Sequence, residues 1–215
     1  MSCGMAFFFD LDGTLIDSRA DLAATVNHTR RELGLAELPQ VGVLEHVGYG
    51  ARHLLRHAIP EKVDAFDTVW EVFRSHYAEH MLESVTLYPG VRDTLEALAS
   101  RGCKLGVNTS KPAFATKAIL EHFDLAHFFC GAVVAGGDCA EMKPSAAPLR
   151  LCAERMGGHA ISPRDWMVGD SAADILCAQN AGVRGAFCTF GFGSLAGAQP
   201  TISIDRFEEL LDCHA

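Results

Sequence analysis

The amino-acid sequence predicts an α/β protein: a doubly wound parallel (Rossmann-like) sheet core with an inserted all-helical cap domain. Two patterns carry that expectation. After Tyr88-Pro89-Gly90 short apolar runs alternate with helical stretches, the order that calls for a parallel sheet covered on both faces, whereas residues 18–84 read as helix throughout. The chain has 215 residues, 49% hydrophobic and 21% charged, which is enough for a real core and fits one domain carrying an insertion. The division expected is a core of residues 1–16 and 86–215 and a cap of residues 17–85.

The first element is the apolar run Met5-Ala-Phe-Phe-Phe9, a buried strand that delivers Asp10 and Asp12 at its carboxyl end, with Gly13 as the turn. From Ser18 the pattern turns helical. Ser18 and Asp21 have capping-box spacing, and Leu22, Val26 and Leu33 recur at helical intervals up to Gly34. A second helix is expected from near Gly50 through Leu54, Leu55 and Ala58. Pro60 suits the first turn of a third, along which Val63, Phe66, Trp70, Phe73, Tyr77 and Met81 form one apolar stripe, read as the cap's own core. Beyond Gly90 the expected order is helix 91–100, strand 104–108, helix 112–122, strand 130–135, helix 145–156, strand 166–168, helix 172–181, strand 186–190 and a short helix 205–212. No internal repeat or low-complexity segment is visible.

Composition narrows the function. Eighteen Lys and Arg against 27 Asp and Glu give a net charge of −9, without the basic patch that nucleic acid requires. No apolar stretch approaches a membrane span, and the amino terminus lacks the charged region of a secretory signal, so a cytoplasmic protein is expected. The eight cysteines show no C-x-x-C and are read as reduced, small core residues. His53 and His57 are spaced i, i+4, but His53-Leu-Leu-Arg-His57 lacks the glutamate of a zinc-protease helix and is read as helix surface.

The chemistry lies at the strand ends. Asp10 and Asp12 follow the first strand, Thr109 and Ser110 the second, and Asp170 the run Met167-Val-Gly169; in a doubly wound sheet these ends converge. Gathered carboxylates repel one another and call for a cation, and an all-oxygen set suits Mg²⁺, which shares its coordination with substrate phosphate. Lys143 and Thr109 are candidates for the remaining phosphoryl oxygens. Phosphoryl transfer is the reaction this set suggests.

Four segments in order, Asp10-Leu-Asp-Gly-Thr-Leu-Ile-Asp-Ser18, Val107-Asn-Thr-Ser-Lys-Pro112, Met142-Lys-Pro144 and Val168-Gly-Asp-Ser-Ala-Ala-Asp174, resemble the motifs of the haloacid dehalogenase superfamily. Gly191-Phe-Gly193 resembles a late loop of its phosphoglycolate-phosphatase-like branch. The resemblance implies that Asp10 is the nucleophile and forms an aspartyl-phosphate, with Asp12 as general acid and base. It implies that Thr109 and the Ser110 backbone N–H hold a phosphoryl oxygen beside the Gly13 turn, and that Lys143 neutralises charge. Asp10, the Asp12 carbonyl and Asp170 would ligate Mg²⁺, with Asp174 orienting them. The second aspartate argues against a dehalogenase. Departures from the family pattern are Ala146, where a second proline is common, Ala147, where a carboxylate is common, and Asn108, a polar residue that needs a buried partner.

Plainer readings stand beside these. Ser171 and Asp174 form another S-x-x-D box, so Asp174 is equally a helix cap; Thr109 is also placed to cap the helix opened by Pro112. Gly48-Tyr-Gly-Ala-Arg52 resembles the substrate-facing loop of the branch, which makes Arg52 a partner for a substrate carboxylate or else an ordinary surface arginine. The leading expectation is a Mg²⁺-dependent phosphatase of a small phosphate monoester, 2-phosphoglycolate first, acting as a monomer or homodimer without nucleic-acid or membrane partners. The alternatives are a hexose-phosphate phosphomutase of the same superfamily and a catalytically silent binding or regulatory module.

Overall fold

The computed structural model describes residues 4–44 and 46–213. It opens with β1 (Ala6–Phe9), followed by β2 (Ile16–Asp17) and a helical block. That block holds α1 (Arg19–Glu32), α2 (Gln40–Leu44), α3 (Ala51–Ala58), a 3-10 segment at Pro60–Ala65 and α4 (Phe66–His80). The chain then runs through β3 (Thr86–Leu87), α5 (Val91–Ser100), β4 (Lys104–Pro112), α6 (Ala113–His122), α7 (Ala126–Phe129), β5 (Val133–Gly136) and α8 (Ala147–Arg155). It closes with β6 (Trp166–Gly169), α9 (Ala172–Ala181), β7 (Arg184–Cys188), β8 (Ile202–Ile204) and a 3-10 segment at Phe207–Asp212.

Six parallel strands lie in the order β5-β4-β1-β6-β7-β8. The chain order therefore reverses between β1 and β6, the crevice in which open parallel sheets bind ligands. Strand alternation explains why β1 is apolar on both faces: Phe7 and Phe9 pack into one core with α5, Phe129 and Phe207, and Ala6 and Phe8 into another with α8 and α9. A third apolar cluster joins Leu22, Val26, Leu54, Leu55, Phe73, Tyr77 and their neighbours, almost all from the helical block. The two crossings between block and sheet pair as a short antiparallel ribbon, Ile16 with Leu87 and Asp17 with Thr86.

Several local expectations change. The Ser18–Asp21 capping box is absent: Ser18 Oγ donates to Asp12, and Asp21 accepts from the Ser84 backbone N–H, because stronger tertiary partners lie nearby. The stretch after Pro60 is a kinked 3-10 turn that leaves Val63 exposed, so the stripe begins at Phe66. β4 continues four residues beyond the expected strand, and the pairings of β2 with β3 and β7 with β8 are too short to show a period in sequence. Six cysteines are free thiols, of which Cys152, Cys177 and Cys188 are buried; burial pushes Cys152 and Cys177 up to about 12. Cys103 is disulfide-bonded, against the expectation of reduced thiols, and Cys3 lies outside the described residues. Asn108 is fully buried, and its amide Nδ2 points at two sulfurs, Met167 Sδ and Cys177 Sγ, each at 3.7 Å.

Candidate active site

Asp10 follows β1 directly, and its backbone N–H donates to the Val168 carbonyl of β6, which seats it at the reversal point of the sheet. Its side chain is buried. Lys143 Nζ stands 3.0 Å from Asp10 Oδ1 at ion-pair distance, yet Oδ1 has no hydrogen-bond partner of good geometry among the described residues. Burial, only partly offset by Lys143, pushes Asp10 up to about 6.

Asp170 ends β6. The Phe192 and Gly193 backbone N–H groups both donate to its Oδ2, at 2.9 and 2.8 Å, so the late Gly-Phe-Gly loop fixes this carboxylate. Burial and then the charges of Asp174 and Asp10 push Asp170 up to about 8. Gly13 must be glycine here. Its φ is +77°, and a Cβ would fall 1.9 Å from Asp170 Oδ2.

Asp174 caps α9, one of the two readings open to it in the sequence, and it also reaches Lys143. It completes a capping box with Ser171 at the start of α9, and it accepts from Lys143 Nζ at 2.6 Å. Burial works against the Lys143 ammonium, but Asp10 and Asp174 outweigh it and hold Lys143 above the ordinary lysine value.

Asp10, Asp170 and Asp174 each offer an oxygen within 4.8 Å of the others. Hard oxygen donors, a buried Asp10 oxygen lacking a hydrogen bond among the described residues, and two carboxyls pushed upward by burial and then by neighbouring carboxylates fit a hard divalent cation. Both Asp174 oxygens are already engaged, Oδ1 by Lys143 and Oδ2 by Ser171, which suits orientation better than ligation.

A narrow cavity of about 30 Å³ lies between sheet and helical block, room for little more than water. Asp10, Asp12, Thr109 and Ser110 wall it on the sheet side; Leu22, Gly48, Gly50, Leu54, Phe73 and Tyr77 wall it on the other. Thr109 does not cap α6; its Oγ1 instead accepts from the Lys111 backbone N–H. Ser110 Oγ is buried without a partner among the described residues, so this hydroxyl is available to an anion.

Sequence reasoning missed Lys111, although the segment carrying it was read. Its side chain is 1% exposed, and Nζ donates to Asp12 Oδ1 at 2.7 Å and to the Tyr77 hydroxyl at 2.5 Å. Burial lowers Lys111, but Asp12 and then Tyr77 outweigh it and hold the ammonium above its usual value. Ser18 Oγ also donates to Asp12 Oδ1, at 2.6 Å. Arg52, by contrast, is not brought to Asp10. It is exposed, stacks on Trp70 and Phe66 and lines an adjoining wider cavity.

The sequence profile of the haloacid dehalogenase-like hydrolases matches residues 7–188. A phosphoglycolate phosphatase of Agrobacterium fabrum is 36% identical over 211 residues, covering 94% of this chain and 88% of the relative. One of Aquifex aeolicus is 36% identical over 203 residues, covering 94% and 93%. The crystal structure of a predicted phosphoglycolate phosphatase from Haemophilus somnus superposes with a TM-score of 0.91 at 30% identity, covering 100% of both chains.

Proposed function

The chain belongs to the haloacid dehalogenase-like hydrolases, and from that premise we propose that this phosphoric monoester hydrolase is a Mg²⁺-dependent phosphatase of a small carboxylated ester, 2-phosphoglycolate foremost. The observation that carries the reading is Asp10 Oδ1, a buried carboxylate oxygen 3.0 Å from the Lys143 ammonium and without a hydrogen bond of good geometry among the described residues, on the wall shared with Asp12, Thr109 and Ser110. Such an oxygen is desolvated and aimed, as an in-line nucleophile must be.

In this reading Asp10 attacks phosphorus, forming a phosphorus–oxygen bond as the ester bond breaks, and Asp12 gives its proton to the departing alkoxide. Water then attacks the aspartyl-phosphate, Asp12 takes the water's proton, and phosphate leaves with Asp10 restored. Ser18 and Lys111 both reach Asp12 Oδ1, so Oδ2 is the oxygen that carries the transferable proton. Thr109 and Ser110 hold a phosphoryl oxygen, and Lys143 shares the charge on Asp10. Asp10, the Asp12 carbonyl and Asp170 would hold the Mg²⁺, which supplies charge neutralisation on the transferring phosphoryl group.

Lys111 is the cationic side chain on the cavity wall, which makes it the partner for a substrate carboxylate. Residues 17–85 are read as a cap on a core of residues 1–16 and 86–215, opening about the β2–β3 ribbon to admit substrate. No described helix is long and apolar enough to cross a membrane, and the charge of −9 supports an enzyme without nucleic-acid partners.

The test is phosphate release, with and without Mg²⁺, from 2-phosphoglycolate, hexose phosphates, nucleotides and an aryl phosphate, with Asp10→Asn as control. Cation-dependent preference for 2-phosphoglycolate is expected. Preference for another ester would overturn the substrate, interconversion of hexose phosphates would favour the mutase, and silence on every ester would overturn the catalytic reading.

A further inference from the structure

Away from the carboxylates, three imidazoles meet on the helical block. His53 and His57 share one face of α3 at i, i+4, and His46, from the turn before it, stacks on His57 with ring centroids 4.5 Å apart. The His53 and His57 rings are 4.1 Å apart, and each of the three residues offers a ring nitrogen within 4.8 Å of the others. Three nitrogens around a tetrahedral zinc stand about 3.3 Å from one another, so a bound ion would draw these three closer than the 4.8 Å within which they lie. His57 Nδ1 lies 2.9 Å from the His53 carbonyl; donating there leaves Nε2 with its lone pair outward, the arrangement usual for a ligating histidine.

We propose that His46, His53 and His57 form a site for a borderline divalent transition metal such as Zn²⁺, separate from the carboxylate cluster and of opposite donor preference. Imidazole nitrogens select Zn²⁺, Ni²⁺ or Cu²⁺ and discriminate against Mg²⁺, so the two sites take different ions from one mixture. The position gives the ion a consequence. Between His46 and His53 runs Val47-Gly-Tyr-Gly-Ala-Arg52, and Val47, Gly48, Gly50 and Ala51 of this segment wall the cavity that holds Asp10. A cation tying His46 to α3 closes that segment into a short loop and stiffens the cavity wall opposite the carboxylates.

A second imidazole stack, His28–His76–His80, is an internal control, since among the described residues its three rings do not bring one nitrogen each within 4.8 Å of the others. The experiment is equilibrium dialysis of the tag-free full chain against Zn²⁺ in a large excess of Mg²⁺, with Co²⁺ as the spectroscopic probe. One zinc per chain is expected, weakened at least about ten-fold by His46→Gln, His53→Gln or His57→Gln and unchanged by His76→Gln or Asp170→Asn. Co²⁺ should give visible bands of a nitrogen and oxygen site without a thiolate charge-transfer band. Hydrogen exchange of backbone amides 47–52 should slow on adding Zn²⁺ to the wild type and not to His57→Gln. Failure to retain zinc, equal retention by the three variants with circular dichroism unchanged, or a cysteine-type Co²⁺ spectrum would overturn the proposal.

Discussion

The Lys111 ammonium donates to the Tyr77 hydroxyl at 2.5 Å, and through it a helix of the inserted block is tied to the sheet domain's Asp12, 2.7 Å from the same nitrogen. Burial pushes the Tyr77 hydroxyl up to about 12, so it stays a neutral acceptor at every working pH. Tyr77→Phe removes a buried hydrogen bond to a charged group and is expected to cost about 1.5–3 kcal/mol by denaturant unfolding. Lys111→Met should raise KM for 2-phosphoglycolate at least about ten-fold while leaving KM for an aryl phosphate within about two-fold, with kcat lowered for both as Asp12 loses an anchor. An equal KM change on both esters would remove the carboxylate role from Lys111.

Asp10→Asn keeps the shape of the site and removes the attacking oxygen's charge. Turnover should fall by roughly three orders of magnitude or more. The Tm of the cation-free protein should hold or rise above pH 7, because one member of a crowded acidic cluster is gone. Near-normal turnover would refute the nucleophile.

Burial raises Asp10 to about 6 and Asp170 to about 8. A carboxyl raised on folding stabilises the protein below its unfolded value of about 4 and loses that contribution as pH climbs through its folded value. Cation-free protein should therefore lose Tm between about pH 5 and pH 8, while cation binding, which needs both groups ionised, strengthens over the same span. Melting with Mg²⁺ and with EDTA should show a gap in Tm that widens with pH; a constant or narrowing gap would contradict the assignment.

Gly13→Ala forces a side chain into a left-handed backbone 1.9 Å from Asp170 Oδ2. A loss of roughly 2 kcal/mol or more is expected, together with weaker Mg²⁺ binding as Asp170 is displaced from the Phe192 and Gly193 amides. Calorimetric titration of Mg²⁺ into the variant checks both effects.

Much of this architecture was legible because strand ends announce themselves. An apolar run stopping at Asp10, and another at Asp170, are local signals, and the alternation after Gly90 orders the sheet. Lys111 escaped because nothing local marks it; its meaning comes from Tyr77, thirty-four residues away in sequence on α4, and from Asp12 in the turn after β1. The capping expectation at Ser18 failed for the same reason in reverse, since a plausible local partner lost to Asp12. His46 stands seven residues before His53, a helical spacing, yet it lies in the turn before α3 with Gly48 and Gly50 between, so their meeting comes from the path of that turn and not from a shared helix. Arg52 reads in sequence as either a substrate partner or a surface arginine; the fold leaves it exposed on the rings of Trp70 and Phe66, lining the wider cavity that also reaches Ser110.

The paired crossings at Ile16–Leu87 and Asp17–Thr86 make the helical block exchangeable. Chain enters and leaves it through adjacent residues of one ribbon, so the sheet meets the same two ends whatever is spliced between them. A grafted cassette whose termini match that separation inherits Asp10, Thr109, Lys143 and Asp170 intact. It forfeits Tyr77, however, and with that residue the hydroxyl that braces Lys111, along with the wall that Leu22, Gly48, Gly50 and Leu54 give the cavity.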